Sequence, residues 1–251
     1  MNTKSSSQAH IAAFFDLDGT LLPEPSLEHR FFANLRRNHK ISVTNYLRWT
    51  AQSLRLLPQG LLAIHHGNKR YLTDIPCDLV FRYMDSISFF EEGVARIAWH
   101  VRQAHKIILV SGTLEPLAHL AATALACELE TRGLELRPLL CATRLKEHRG
   151  RWIGGLDGPA MYGPAKAHAV EALAKRHRLD LHQCHAYANS LLDRYFLFTV
   201  GHPHAVNPSR ELVAIANQEN WPIWSWCQAQ TTNPQRNARL SSRIESLEKQ
   251  A

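Results

Sequence analysis

Asp16 and Asp18 stand one residue apart, directly after the apolar run Ile11-Ala12-Ala13-Phe14-Phe15 and directly before Gly19-Thr20-Leu21. Two carboxylates this close can work on one substrate only if they converge. Along an extended strand successive side chains point to opposite sides, so convergence requires the bend that Gly19 permits. An Asp-x-Asp pair by itself also suits an Asx turn or a helix cap. Its position argues for more: a buried strand that empties into acidic residues is a place for chemistry rather than packing.

The elements that must hold this pair follow along the chain. From about Ser26 to about Met84 the apolar residues recur at helical spacing, broken by Pro58-Gln59-Gly60, with Thr73-Asp74-Ile75-Pro76 reading as the start of another helix. Glu91 to Ala104 predicts a helix leading into a buried strand, Lys106 to Val110, which stops at Ser111-Gly112-Thr113 and opens a helix from Glu115 to about Leu125. Strand, small-residue loop and helix form the unit from which parallel sheets are built. Leu139 to Cys141 and Trp152-Ile153 flank a turn rich in glycine and charge and read as a hairpin. Ala165 to Lys175 predicts a helix, His185 to Ala188 and His204 to Val206 predict short strands, and Trp221, Trp224 and Trp226 fall in a terminal strand at the sheet edge. The fold class is therefore α/β: an open, parallel, Rossmann-like sheet with helices on both faces and a helical insertion. Residues 1–25 and 85–227 form the core, 26–84 the insertion, and 228–251 a polar, flexible tail. In such sheets ligands sit beyond the carboxyl ends of the strands, where both polar loops lie.

Composition narrows the function classes. With 251 residues, 45% hydrophobic and 20% charged, the chain is neither disordered, collagenous nor a coiled coil. No apolar run is long enough for stable membrane insertion and the amino-terminal residues are polar, so a cytoplasmic protein is expected. Five scattered cysteines without a Cys-x-x-Cys pair support neither a disulfide framework nor a zinc ribbon. The net charge of +7 favours anionic partners. Its densest pieces, Arg36 to Lys40 and Lys175 to Arg178, read as solvated helix faces, and no nucleic-acid partner is expected. His65-His66 and the other histidines lack metal-ligand spacing and are expected in solvated or capping roles, and Trp49 and Trp99 in core or interface packing.

The string Phe15-Asp16-Leu17-Asp18-Gly19-Thr20-Leu21 resembles the first motif of the haloacid dehalogenase superfamily of phosphohydrolases. Ile107 to Thr113 is similar to the second motif, a strand ending in a phosphate-contacting hydroxyl, and Gly163-Pro164-Ala165-Lys166 to the third, which supplies a lysine at a helix start. Ala186 to Asp193 aligns with the acidic fourth motif, and Gly201 to Pro208 with Asn220 to Ile223 is similar to the ending of the phosphoserine-phosphatase-like branch, subfamily IB. The resemblance implies that the insertion is a mobile cap and that the protein is a magnesium-dependent phosphatase.

Phosphate monoesters are inert, so their hydrolysis requires an in-line nucleophile, a proton donor for the leaving oxygen and positive charge around the phosphoryl oxygens. Asp16 would be the nucleophile, forming an aspartyl-phosphate, and Asp18 the acid and then base, with a raised pKa. Thr20, Ser111, Gly112 and Lys166 would contact the substrate, Lys166 also serving catalysis by offsetting charge. By resemblance Mg2+ is held by Asp16, the backbone carbonyl of Asp18 and the fourth motif. There the sequence departs from the pattern, because the expected first aspartate is Asn189. Asn189 and Asp193 are the candidate ligands, with Asp193 either ligating directly or orienting Asn189 and water.

An amide in place of a carboxylate predicts weaker metal affinity, and a competing reading is a phospholigand-binding or regulatory protein that kept the fold and lost turnover. Selectivity is expected from the cap, where Glu24, Glu28, Arg30, Lys69 and Arg70 are the candidates for reading the leaving group. A small phosphorylated metabolite is the expected substrate, a phosphorylated polar lipid head group the next choice.

Overall fold

Every side chain of Ala12–Phe15 (β1) is buried, the condition of a central parallel strand. In this computed structural model, which describes residues 10–83 and 87–227, β1 is followed by four helices: α1 (Leu27–Arg37), α2 (Val43–Leu56), α3 (Leu61–Gly67) and α4 (Leu79–Tyr83). The chain then forms α5 (Glu91–Arg102), β2 (Lys106–Leu114), α6 (Glu115–Thr131) and β3 (Leu139–Thr143). A small antiparallel hairpin, β4 (Leu145–His148) and β5 (Arg151–Leu156), precedes α7 (Pro164–His177) and β6 (His185–Ala188). The last elements are α8 (Arg194–Leu197), β7 (His202–Val206), α9 (Arg210–Gln218) and β8 (Ile223–Trp224).

Six strands make one parallel sheet in the order β3-β2-β1-β6-β7-β8. The order reverses beside β1, so the crevice between the carboxyl ends of β1 and β6 is the natural ligand site of the sheet. Alternation along β1 builds two cores. Ala13 and Phe15 pack with Ile97, Leu117 and Leu125 on one face, and Ala12 and Phe14 pack with Val170, Phe196 and Leu212 on the other. Each fully buried phenylalanine contributes about 1.5–3 kcal/mol, which anchors the strand that carries Asp16.

The helical segment has local reasons of its own. The Ser26 side chain caps α1 by accepting from the His29 N–H, and Leu27, Phe31 and Leu35 bury one face of that helix. Ser42 caps α2 in the same way through Asn45.

Several elements differ from the sequence expectation. Leu139 to Cys141 does not join the hairpin; it pairs in parallel with Ile108 to Val110, and the hairpin is closed by Arg149-Gly150, both at positive φ. β2 continues past Val110 to Leu114, with a register shift against β3 that sets Ser111 to Thr113 off the regular ladder. α6 runs on to Thr131. Thr73 to Pro76 is not a helix start, because the Asp74 N–H donates to the Trp152 carbonyl (2.7 Å) and the Trp152 N–H to the Ile75 carbonyl (3.0 Å), holding that stretch against β5. The tail of residues 228–251 and Met84 lie outside the described residues.

A group of histidines departs from the expected solvated or capping roles, which exposed His39, His148 and His168 keep. His105, His185 and His202 fall at the amino-terminal ends of three sheet strands, where they gather with His100 and His204. His100 is buried, with Nε2 2.9 Å from the Tyr187 hydroxyl and Nδ1 2.9 Å from Nδ1 of His105; His185 Nδ1 lies 3.3 Å from His204 Nε2. Burial first, then the neighbouring rings and Arg96, keeps these imidazoles neutral, with His100 pushed down to about 2, His204 to about 3 and His185 to about 4. Three of the rings, His100, His105 and His185, have ligand-capable nitrogens within 4.8 Å of one another. The Arg96 guanidinium, 4.8 Å above the Trp224 ring, places a fixed positive charge beside the cluster that opposes a cation there.

No helix among the described residues is long and apolar enough to cross a membrane.

Candidate active site

Asp16 is the first residue beyond β1, and its N–H donates to the Tyr187 carbonyl of β6, so the sheet itself places it at the switch point. The turn that follows needs Gly19. Its φ is +78°, and a Cβ there would meet the Asn189 amide nitrogen at 2.0 Å. The Leu21 and Leu22 N–H groups both donate to the Leu17 carbonyl at 2.9 Å, closing the turn. This brings Asp18 back toward the cavity, where its Oδ1 accepts from the Leu27 N–H at 2.8 Å, the first residue of α1. The first helix of the insertion thus holds the second carboxyl.

Lys166, in the first turn of α7, reaches Asp16 Oδ1 at 2.7 Å and Asp193 Oδ1 at 2.6 Å, with all three residues buried. Asp193 spends its other oxygen on the Ser190 hydroxyl (2.6 Å) and N–H (3.2 Å). Thr20 is fully buried and absent from the cavity wall; its hydroxyl lies 3.2 Å from Asp16 Oδ2 and 3.3 Å from Asn189 Oδ1. The hydroxyl thus links those two oxygens from outside the cavity wall.

Ser111, Gly112 and Thr113 line the cavity beside Asp16. The Gly112 carbonyl accepts from the Thr143 hydroxyl at 2.7 Å, and that hydroxyl accepts from the Met161 N–H at 3.0 Å, which locks the loop. The buried Thr113 hydroxyl has no hydrogen-bond partner among the described residues. It is a donor available to a ligand.

Charge is set by burial and by the lysine. Burial pushes Asp18 up to about 7 against the lowering effect of the Leu27 N–H, with Asp16 and Glu24 adding to the rise. Burial also raises Asp16, Lys166 pulling it back. Burial would lower Lys166, but the carboxylates of Asp16 and Asp193 outweigh it and hold the ammonium above its ordinary value.

The cavity, about 660 Å3, is shared between sheet and insertion. Sheet residues Asp16, Asp18, Ser111, Lys166, Asn189 and Asp193 form its floor, and Glu28, Phe32, Tyr46, Trp49, Ile64, His66 and Tyr71 come from the insertion. Trp49, expected in core or interface, is a wall residue. Glu28 is held by the Lys69 ammonium and by the Tyr71 hydroxyl at 2.7 Å, and His66 stacks on Tyr162 with ring centroids 4.2 Å apart. Glu24, Glu28 and Lys69 reach the cavity as expected; Arg30 and Arg70 do not line it, and Arg70 instead donates to the Ile153 carbonyl at 3.3 Å. Tyr71, His66 and Tyr162 carry no motif, so only the folding of the insertion over the sheet could disclose them.

The Asp16 carboxylate and the Asn189 amide oxygen, tied by the Thr20 hydroxyl, are hard oxygen donors, to which the family resemblance would add the Asp18 backbone carbonyl. This chemistry fits magnesium. Asp193 accepts from Lys166 and Ser190, as Asp16 accepts from Lys166 and Thr20.

Residues 13–197 match the haloacid dehalogenase-like hydrolase family, and the chain belongs to it. It is 30% identical over 225 residues to phosphoserine phosphatase SerB1 of Mycobacterium tuberculosis (strain ATCC 25618 / H37Rv), covering 84% of this chain and 70% of that one. It is 28% identical over 229 residues to the inhibition of morphological differentiation protein of Streptomyces azureus, covering 84% and 77%. Its fold is similar to that of a crystal structure of phosphoserine phosphatase in apo form, with a TM-score of 0.59, 18% identity and coverage of 86% and 93%. The protein is a phosphatase of the phosphoserine-phosphatase-like kind.

Proposed function

We propose that the protein hydrolyses a phosphate monoester with magnesium and an aspartyl-phosphate formed on Asp16. One observation carries the reading: Asp16, paired with a buried ammonium, and Asp18, a carboxyl whose pKa is pushed up to about 7, face the same cavity. The Asp16 carboxylate attacks phosphorus, and the bond to the leaving oxygen breaks as Asp18 gives that oxygen its proton. Asp18, now ionised, takes a proton from water. The hydroxide so formed attacks phosphorus, frees Asp16 and releases inorganic phosphate. Lys166 keeps Asp16 ionised and offsets phosphoryl charge, while Ser111, Gly112 and Thr113 hold phosphoryl oxygens. Magnesium, held by Asp16, the Asp18 carbonyl and Asn189, supplies further positive charge there. In this scheme Asp193 positions Lys166.

The leaving group meets the insertion. Glu28 is already matched by Lys69 and Tyr71, Glu24 and His65 remain as polar wall groups, and Phe32, Tyr46, Trp49 and Ile64 offer a larger apolar surface. That chemistry favours a leaving group with apolar surface, such as part of a lipid, over the small polar metabolite ranked first from sequence.

Turnover of an aryl phosphate with magnesium tests the reaction. Asp16→Asn abolishes it under this reading. Asp18→Asn costs about 10²–10⁴-fold on an alkyl phosphate and less on the aryl ester, whose leaving oxygen needs little protonation. Wild-type turnover by Asp16→Asn would overturn the assignment.

A further inference from the structure

From His29 to Thr73 the chain has eight lysines and arginines and no aspartate or glutamate. Among them Arg36, Arg37, Lys40, Arg48 and Arg55 are exposed and make no ion pair with any described residue. The same segment holds the six most exposed large aliphatic side chains among the described residues: Val43, Leu47, Leu54, Leu57, Leu61 and Leu62, with Leu61 and Val43 each 75% exposed. Elsewhere on the described surface the exposed large aliphatic side chains are Ile153 and Ile223.

These residues are ordered by the helix. At 100° per residue, Val43, Leu47 and Leu54 fall on one stripe of α2; Arg55 and Arg48 lie about 100–120° round from it on one side, Arg48 also donating to the Asn45 side-chain oxygen at 3.1 Å. The opposite side of α2 is engaged: Asn45 donates to the Tyr71 and Thr73 carbonyls (3.2 and 2.7 Å), and Tyr46 and Trp49 line the cavity. The stripe continues through Leu57 to Leu61 and Leu62 at the start of α3, whose Ile64, His65 and His66 line the same cavity. One helical hairpin therefore presents aliphatic and cationic groups outward and the substrate wall inward.

We infer that the α2–α3 hairpin docks the protein on an anionic lipid bilayer, and that the phosphate monoester it hydrolyses is carried by a lipid; the substrate half of this rests on the phosphatase reading above. An interfacial helix binds by sinking an apolar stripe below the head groups while flanking arginines reach anionic phosphates. Charge selects this occupant. A second copy of the chain would bring two acid-free cationic surfaces together, and a nucleic acid would gain nothing from six bare aliphatics.

Flotation of the full chain with vesicles of phosphatidylcholine, with and without phosphatidylglycerol, tests the docking without turnover. The protein is expected to float with the anionic vesicles, to release in high salt, and to ignore pure phosphatidylcholine. Leu54→Glu/Leu61→Glu lowers vesicle binding by about tenfold or more. Arg48→Glu/Arg55→Glu, which leaves the aliphatics in place, lowers it by a similar factor. Both pairs leave aryl-phosphate turnover within about twofold, since none of these side chains lines the cavity. No flotation, or flotation unchanged in both double variants, overturns the docking. Self-association lost in Leu54→Glu/Leu61→Glu, with no flotation, assigns the face to a second copy and overturns it too; retarded RNA without flotation does the same. With docking established, release of phosphate from phosphatidic acid in those vesicles, but not from soluble glycerol phosphate, supports the lipid substrate, and the reverse preference overturns it. An enzyme silent on every ester, aryl phosphate included, defeats the phosphatase reading and leaves flotation to stand or fall separately.

Discussion

The Lys166 ammonium sits between Asp16 Oδ1 at 2.7 Å and Asp193 Oδ1 at 2.6 Å, out of contact with water. One buried cation thus bridges the proposed nucleophile and a carboxylate that also caps its own turn through Ser190. Removing one partner of such a pair leaves the remaining charges uncompensated. Asp193→Asn is expected to lower kcat by about 10–100-fold through a displaced lysine and to destabilise the fold by about 3 kcal/mol. Steady-state kinetics with a thermal melt of the same preparation reads both. An unchanged kcat would remove Asp193 from the machinery.

Asn189 places an amide oxygen where its family resemblance leads one to expect a carboxylate. Asn189→Asp adds a negative charge beside Asp16, so the magnesium concentration for half-maximal activity is expected to fall about tenfold while the wild type remains active. A magnesium titration of both proteins checks it. A silent wild type awakened by the substitution would instead favour the regulatory, non-catalytic reading.

Glu28 and Arg70 were equal candidates for reading the leaving group, and the fold separates them. Arg70→Ala is expected to leave every ester within about twofold, since its guanidinium lies on the Ile153 carbonyl outside the cavity. Glu28→Ala frees Lys69 inside the wall and is expected to change KM unevenly across a panel of monoesters. Equal loss on all of them, aryl phosphate included, would show that the insertion does not select.

The histidine cluster predicts acid lability. His100, His185 and His204 have folded-state pKa values pushed down by burial, to about 2, about 4 and about 3, against an ordinary 6.5. Groups depressed in the folded state contribute stability that is present above the unfolded value and lost as pH falls from about 6.5 toward the folded values. Each such histidine costs on the order of 1 kcal/mol per pH unit across that window, and His105, also lowered by burial, adds to the loss. Melting temperature should be flat above pH 7 and drop steeply between pH 6 and 4.5, on a scale set by this linkage. A flat profile down to pH 4.5 would contradict the buried, neutral cluster.

The fold class and the chemical floor of the site were legible in the chain. Apolar runs that end in Asp16, Ser111 and Asn189 are strands emptying into polar residues, and a parallel sheet brings such ends to one edge without further information. Local signals sufficed there because period, glycine placement and motif spacing act within a few residues. What the tertiary structure decided is everything that depends on two distant segments meeting. Thr20 links Asp16 and Asn189 because β6 brings Asn189 beside the Gly19 turn. Glu28, Lys69 and Tyr71 neutralise one another only once the insertion has folded. Histidines with no telling spacing came to gather around buried His100 because parallel register sets the starts of β2 and β6 on either side of β1, with β7 beside β6. A linear pattern records which face of an element is apolar, whereas the partner of that face is chosen by packing across the whole chain.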